Sequence, residues 1–131
     1  MAPRVIVAAA WAAALSGAPS TAHAAMTGRD PLEATKAAGT ILLPQETRTL
    51  PLVAAAAPVH LALSLGWALG CDRAGVRGVL RGAAAGLAIA ALDLGVIGRR
   101  FPRVRALPLA PQVADHLVYG AIVGAVLARR R

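Results

Sequence analysis

A chain of 131 residues makes one domain, and 57% hydrophobic residues with only 3% aromatics departs from a soluble core, which leans on Leu, Ile and Phe. The net charge of +8 does not point to nucleic acid, because the arginines fall between and after the apolar runs and almost no aromatic surface is present to stack on bases. Anionic headgroups of a lipid bilayer are the expected counter-charge, and the single cysteine, Cys71, excludes an intrachain disulfide and a cysteine metal cluster.

The excess of apolar residues is mostly Ala, with Gly, a composition that lets helices approach backbone to backbone as membrane helices do. Lys36 is the only lysine, and the use of arginine in its place points to a GC-rich bacterial genome.

The expected fold is all-α: a four-helix transmembrane bundle over residues 1–131, with a short interfacial helix between the first two spans. The first span, residues 5–26 (VIVAAAWAAALSGAPSTAHAAM), carries no charge and just exceeds the ~20 residues needed to cross a bilayer. It has a rival reading as a signal peptide, with Met1 to Arg4 as the charged region, Val5 to Leu15 as the apolar region and Ala22-His23-Ala24 as the cleavage site. The uncharged run continues to Gly28, which favours an uncleaved helix.

Next, GRDPLEATKAAGT predicts a short helix over about 31–38, with Asp30 as N-cap, Pro31 at the first position, Glu33 at the third and Gly39 as the stop. Its alternating charges read as a solvated connector. The second span, about 50–71, contains Pro58, which cannot donate to the carbonyl of Ala54 and predicts a kink. At its end, Cys71 beside Asp72 reads as a small interface residue. The third span, about 76–98, ends near RRFPRVRALPLAP, which reads as an extended basic connector anchored by Phe101. The fourth, 111–128, is closed by Arg129, Arg130 and Arg131.

Lys and Arg do not settle the orientation. Arg4, Arg73, Arg77, Arg81 and Arg129 to Arg131 make seven on one side, and Arg29, Lys36, Arg48, Arg99, Arg100, Arg103 and Arg105 make seven on the other. The acids Asp30, Glu33 and Glu46 in the first connector tilt the reading toward cytoplasmic ends, in a multi-pass protein of the inner (plasma) membrane.

Two patterns carry the candidate functional residues. Glycines one turn apart, Gly66 and Gly70, then Gly78, Gly82 and Gly86, then Gly120 and Gly124, predict close helix packing. The packing is either inside the chain or between copies in a homo-oligomer. The second pattern is a polar cluster of His60, Asp93, Asp115, His116 and Tyr119 inside apolar runs, where ionisable groups are costly and kept as structural glue or for function.

At 1.5 Å per residue, Asp93, Asp115 and His116 lie roughly 6 to 8 Å below one surface, and His60 roughly 15 Å. His23, near the end of the first span, shares the shallower depth. Asp93 lies two turns from Gly86 and so faces the bundle. Leu87, Ile89, Leu92, Leu94, Val96 and Ile97 together favour insertion by about 2 to 4 kcal/mol against roughly 2.5 to 3.5 for a central aspartate, so the third span needs its neighbours. Asp93 is expected to meet one of Asp115 and His116, with Arg99 or Arg100 as counter-charge, and the other to turn toward the first or second span, where His23 lies at similar depth. Tyr119 is expected to join through its hydroxyl.

The sequence contains no GxxxxGK, HExxH or GxSxG and no glutamate pair for a di-iron site, so no catalytic residue, metal or cofactor is expected and the chain does not read as an enzyme. A haem between His60 and His116 is disfavoured by their different depths.

The segments SGAPSTAHAAMTGRDPLEATKAAGTILLP, AIAALDLGVIGRRFPRVRALPLAPQVADH and YGAIVGAVL resemble a family of small bacterial multispan integral membrane proteins with no assigned activity. The resemblance covers most of the chain. It implies a multispan fold that retains the SGAPST segment and supplies no catalytic residues. In size the chain is also similar to small multidrug transporters, but those rely on a glutamate in the first span, and this span has no acid. A structural or interaction role is the expected function. A small transporter or proton-coupled channel working through the Asp/His cluster is the alternative.

Overall fold

Runs of Ala and Leu, which lose little freedom on becoming helical, form helices along the computed structural model, which describes residues 1–129. Arg130 and Arg131, read above as closing the fourth span and counted in the charge balance, lie outside the described residues. Among the described residues there is no strand. Four stretches, Pro3–Met26, Thr49–Arg73, Val79–Arg100 and Leu109–Ala128, are long and apolar enough to cross a membrane.

The first stretch is two helices, α1 (Pro3–Leu15) and α2 (Ala18–Met26), where the sequence reading expected one. Pro19 explains the break. It has no N–H for the carbonyl of Leu15, and its ring crowds that carbonyl, so the chain turns at Ser16 and Gly17 and restarts with Pro19 in the first turn of α2.

The connector helix α3 (Glu33–Gly39) begins two residues later than expected. The Asp30 carboxylate accepts the Leu32 N–H at 2.9 Å and holds residues 30–32 in a turn ahead of the helix. Lys36 and that backbone bond keep the Asp30 carboxyl below its usual range. Gly39 does not stop the helix through a left-handed conformation. It is the last helical residue, and a Cβ there would run into the main chain of Leu52. The missing side chain lets α3 lie against the start of the next helix, burying Ala37 and Thr40, so this segment is docked rather than a freely solvated connector.

That next helix, α4 (Thr49–Arg73), passes Pro58 unbroken. Just before it, Glu46 accepts the N–H groups of Thr47 and Arg48 and pairs with the Arg48 guanidinium, which brings its carboxyl down to about 2.

After Gly78, whose φ of +90° suits a residue without a Cβ, α5 (Val79–Leu92) runs into a π-helical turn at Asp93–Ile97 and a 3-10 turn at Gly98–Arg100. The expected extended connector is folded. Gly98 makes room for Val104 beside it, and Pro102 opens a short helix, α6 (Pro102–Arg105). The last helix, α7 (Leu109–Ala128), starts two residues before the predicted span.

Helix α7 sits at the centre, with α5 as its most intimate neighbour and α1 and α2 packed along other faces, while α4 lies chiefly against α1 and α3. The glycines set the α5–α7 contact. A Cβ on Gly82 would strike the carbonyl of Gly120, one on Gly86 the carbonyl of His116, and one on Gly124 the carbonyl of Gly78. The Gly78 N–H donates across the helices to the Gly124 carbonyl at 2.8 Å. Gly78 therefore belongs to this contact as a turn residue that donates through its main chain, not as a rung on the α5 face. Gly66 and Gly70, read as a packing pair, face outward on α4, and a Cβ at either would meet nothing within 4 Å.

The interior mixes alanines with a few larger aliphatic residues. Val5, Ala8, Ala12, Ala68, Val123 and Leu127 are almost fully buried, while Leu80, Leu61, Val96 and Ile6 are more than half exposed. At one end, Asp72 ties Arg4 of α1 at 3.3 Å and Arg77 of the loop before α5 at 2.8 Å, which places the chain's beginning and the α4–α5 loop on the same side. Cys71 beside it is buried in the core.

Candidate functional site

The break between α1 and α2 creates the first demand for polar partners, because a helix end leaves carbonyls and a helix start leaves N–H groups without intrahelical bonds. Two ionisable side chains from other helices meet that demand. His60 of α4 places Nε2 2.8 Å from the Ala13 carbonyl in the last turn of α1. Since a carbonyl only accepts, Nε2 carries the proton. Asp115 of α7 accepts the Ser20 N–H, in the first turn of α2, at 2.8 Å. A carboxylate at a helix start is favoured by the charge of the bond and by the helix dipole. Ser20 Oγ also donates to the Gly17 carbonyl at 3.2 Å.

The second polar group is built on the α5–α7 contact. Gly86 brings α5 against the main chain at His116, and two turns further on the Asp93 carboxylate reaches the His116 ring. His116 Nδ1 donates to the Gln112 carbonyl, one turn back on its own helix, at 2.7 Å, and Nε2 lies 3.3 Å from Asp93 Oδ2. With Nδ1 protonated, this second contact needs a proton of its own, either on an imidazolium facing a carboxylate or on a carboxylic acid facing a neutral ring. Both forms leave the pair neutral, which lowers the cost of burying it. Trp67 of α4 donates its Nε1–H to the same Asp93 oxygen at 3.1 Å.

Asp115 and His116, adjacent in sequence, thus serve different neighbours, Asp115 the start of α2 and His116 the Asp93 of α5. His60 stays outside the Asp93 pair, although it and His116 are both among the electrostatic neighbours of Asp115.

Tyr119 does not join the carboxylates. It is buried, and its hydroxyl donates to the Ser64 carbonyl of α4 at 2.5 Å, while Ser64 Oγ donates to the Ala9 carbonyl of α1 at 2.8 Å. Tyr119→Phe should lower stability in detergent by about 1 kcal/mol, the worth of a polar contact between membrane helices, measured by thermal unfolding. An unchanged midpoint would mean that the hydroxyl contributes nothing to the packing.

Arg99 and Arg100 do not serve as counter-charge for Asp93. Among the described residues its partners are His116 and Trp67, and both arginines are exposed on the turn that follows the π-helical segment. His23 does not meet Asp115 through a hydrogen bond, and its Nδ1 is buried without a partner among the described residues.

Sequence reasoning missed Trp67, Ser20 and Ser64, and the main-chain carbonyls of Ala13 and Gln112. Only Trp67 offered a signal, an indole N–H within an apolar run that needs an acceptor when buried. No family model, curated protein or solved structure matches the chain.

Proposed function

We propose that this chain is a multi-pass α-helical protein of the bacterial inner membrane with a structural or interaction role rather than an enzymatic one, its four long helices forming a transmembrane bundle. Its many exposed Leu, Val and Ile side chains support a lipid-facing exterior, because large exposed apolar surfaces are rare on proteins in water.

The observation that carries the structural reading is the destination of the polar side chains. His60 binds α1, Asp115 binds α2, Tyr119 binds α4, and Asp93 joins α4 and α7. Each ties one helix to another, as glue would. A second copy would meet the outward face at Gly66 and Gly70 rather than the glycines already filled by the α5–α7 contact.

The second reading, a proton-coupled channel or transporter, is favoured by the one proton that the Asp93–His116 contact requires. Asp93→Asn separates the two readings, since an amide oxygen still accepts from Trp67 while the side chain can no longer take up or release a proton. In sealed vesicles under a pH gradient, the native and Asp93→Asn chains should both admit protons no faster than empty vesicles. Faster entry with the native chain, abolished by Asp93→Asn, would replace the structural reading with the second.

A further inference from the structure

At the level where the third long helical stretch ends and the fourth begins, the folded connector and α7 enclose a cleft of about 500 Å³. Its polar lining is Arg99, Arg105 and the nine-tenths buried Gln112, and Leu94, Leu107 and Leu109 form its apolar wall. We propose that this cleft holds one anionic membrane phospholipid, its phosphodiester between the two guanidinium groups and its first acyl methylenes along the leucines.

Three observations carry the assignment. First, charge: Arg99 and Arg105 are exposed and, like Arg73, Arg81, Arg100, Arg103 and Arg129, have no carboxylate within 4.0 Å among the described residues, and of these they are the two that line one cleft together. Planar guanidinium forks match phosphate oxygens, and two arginines lining one cleft call for an anion. Second, shape: a cleft charged on one side and aliphatic on the other fits a headgroup joined to a chain better than a free anion, and its volume suits a headgroup. Third, position: on the transmembrane reading, which this inference rests on, the end of one span and the start of the next lie where headgroups lie.

A second cleft at the opposite end, about 700 Å³, also contains arginines, but Arg4 and Arg77 are already engaged by Asp72, which leaves Arg129 as its one guanidinium without a carboxylate among the described residues.

The test is native mass spectrometry of the full chain released from micelles doped with dioleoylphosphatidylglycerol or with dioleoylphosphatidylcholine. A single retained phosphatidylglycerol, and no retained phosphatidylcholine, is expected. Arg99→Gln with Arg105→Gln should weaken that retention roughly tenfold or more, while the charge-matched control Arg73→Gln with Arg81→Gln should leave it unchanged. Equal loss in both pairs means attraction by net charge alone and overturns the proposal, as does full retention after the Arg99 and Arg105 changes. Displacement of the lipid by inorganic phosphate would likewise overturn it in favour of a free-anion site.

A variant-independent arm uses a photoreactive phosphatidylglycerol on the native chain, with labelling expected within residues 94–112. Labelling confined to other segments overturns the cleft as the site. Should the chain prove not to be membrane-embedded, it will leave the membrane fraction, a failure distinguishable from an embedded chain that retains no lipid.

Discussion

Gly120→Leu and Gly82→Leu should each destabilise the protein by about 3 kcal/mol or more, at the upper end of what overpacking costs in a filled core. The reason is what the new atoms would strike. A Cβ on Gly120 would meet the Gly82 carbonyl, the Gly86 nitrogen at 2.7 Å and the Gly86 Cα at 2.8 Å, and one on Gly82 would meet the Gly120 carbonyl and the Gly124 Cα at 3.0 Å. These are backbone atoms, which have no rotamer to change, so relief requires α5 and α7 to separate. Separation also breaks the Gly78–Gly124 main-chain bond and pulls Asp93 from His116. Gly66→Leu is the control: its Cβ meets nothing within 4 Å, and the unfolding midpoint in detergent should not fall. Equal losses at Gly66 and Gly120 would mean that the α5–α7 contact is not where the glycines matter.

Asp115→Leu should cost about 1 to 2 kcal/mol, combining the value of a helix cap with that of a polar contact between membrane helices. It leaves the Ser20 N–H without an acceptor at the start of α2. The loss depends on the break, because in a continuous helix Ser20 would donate to Ser16 and need no help from α7. Pro19→Ala restores the missing N–H at position 19 and lets α1 and α2 join. In that background Asp115→Leu should cost less than in the native chain. The check is a cycle of thermal unfolding in detergent over the two single variants and the double one. Additive losses would mean that Asp115 is not there to serve the break.

These two cases mark what the sequence made legible. The four long apolar runs were readable from composition and length alone, because crossing length and the absence of charge are one-dimensional properties. Also readable was that Asp93, Asp115 and His116 need partners on other helices, since apolar surroundings leave ionisable groups no other recourse.

The meeting of Asp93 with His116 was one of the two options expected, but the other partners in the polar cluster were not readable, because most are main-chain groups. Ala13, Ser20, Ser64 and Gln112 contribute a carbonyl or an N–H that every residue possesses, and only the three-dimensional path shows which are left over. Pro19 was the missed clue. A proline inside an uncharged run looks harmless to a hydropathy argument, yet it frees the backbone groups that His60 and Asp115 then meet. The connector misled for a related reason: Arg and Pro read as extended chain, but Pro102 is well placed to open a helical turn, and Gly98 lets Val104 fold back onto the turn at Gly98–Arg100.

Alkaline carbonate extraction of membranes from expressing cells tests the transmembrane bundle most directly. Carbonate strips proteins held by charge, including a basic chain bound to anionic headgroups, and leaves proteins whose helices cross the hydrocarbon. The chain should remain wholly in the membrane pellet, because its four long apolar helices, rather than its positive charge, hold it there. Its recovery in the soluble fraction would contradict the transmembrane bundle and the lipid-facing reading of its outer leucines.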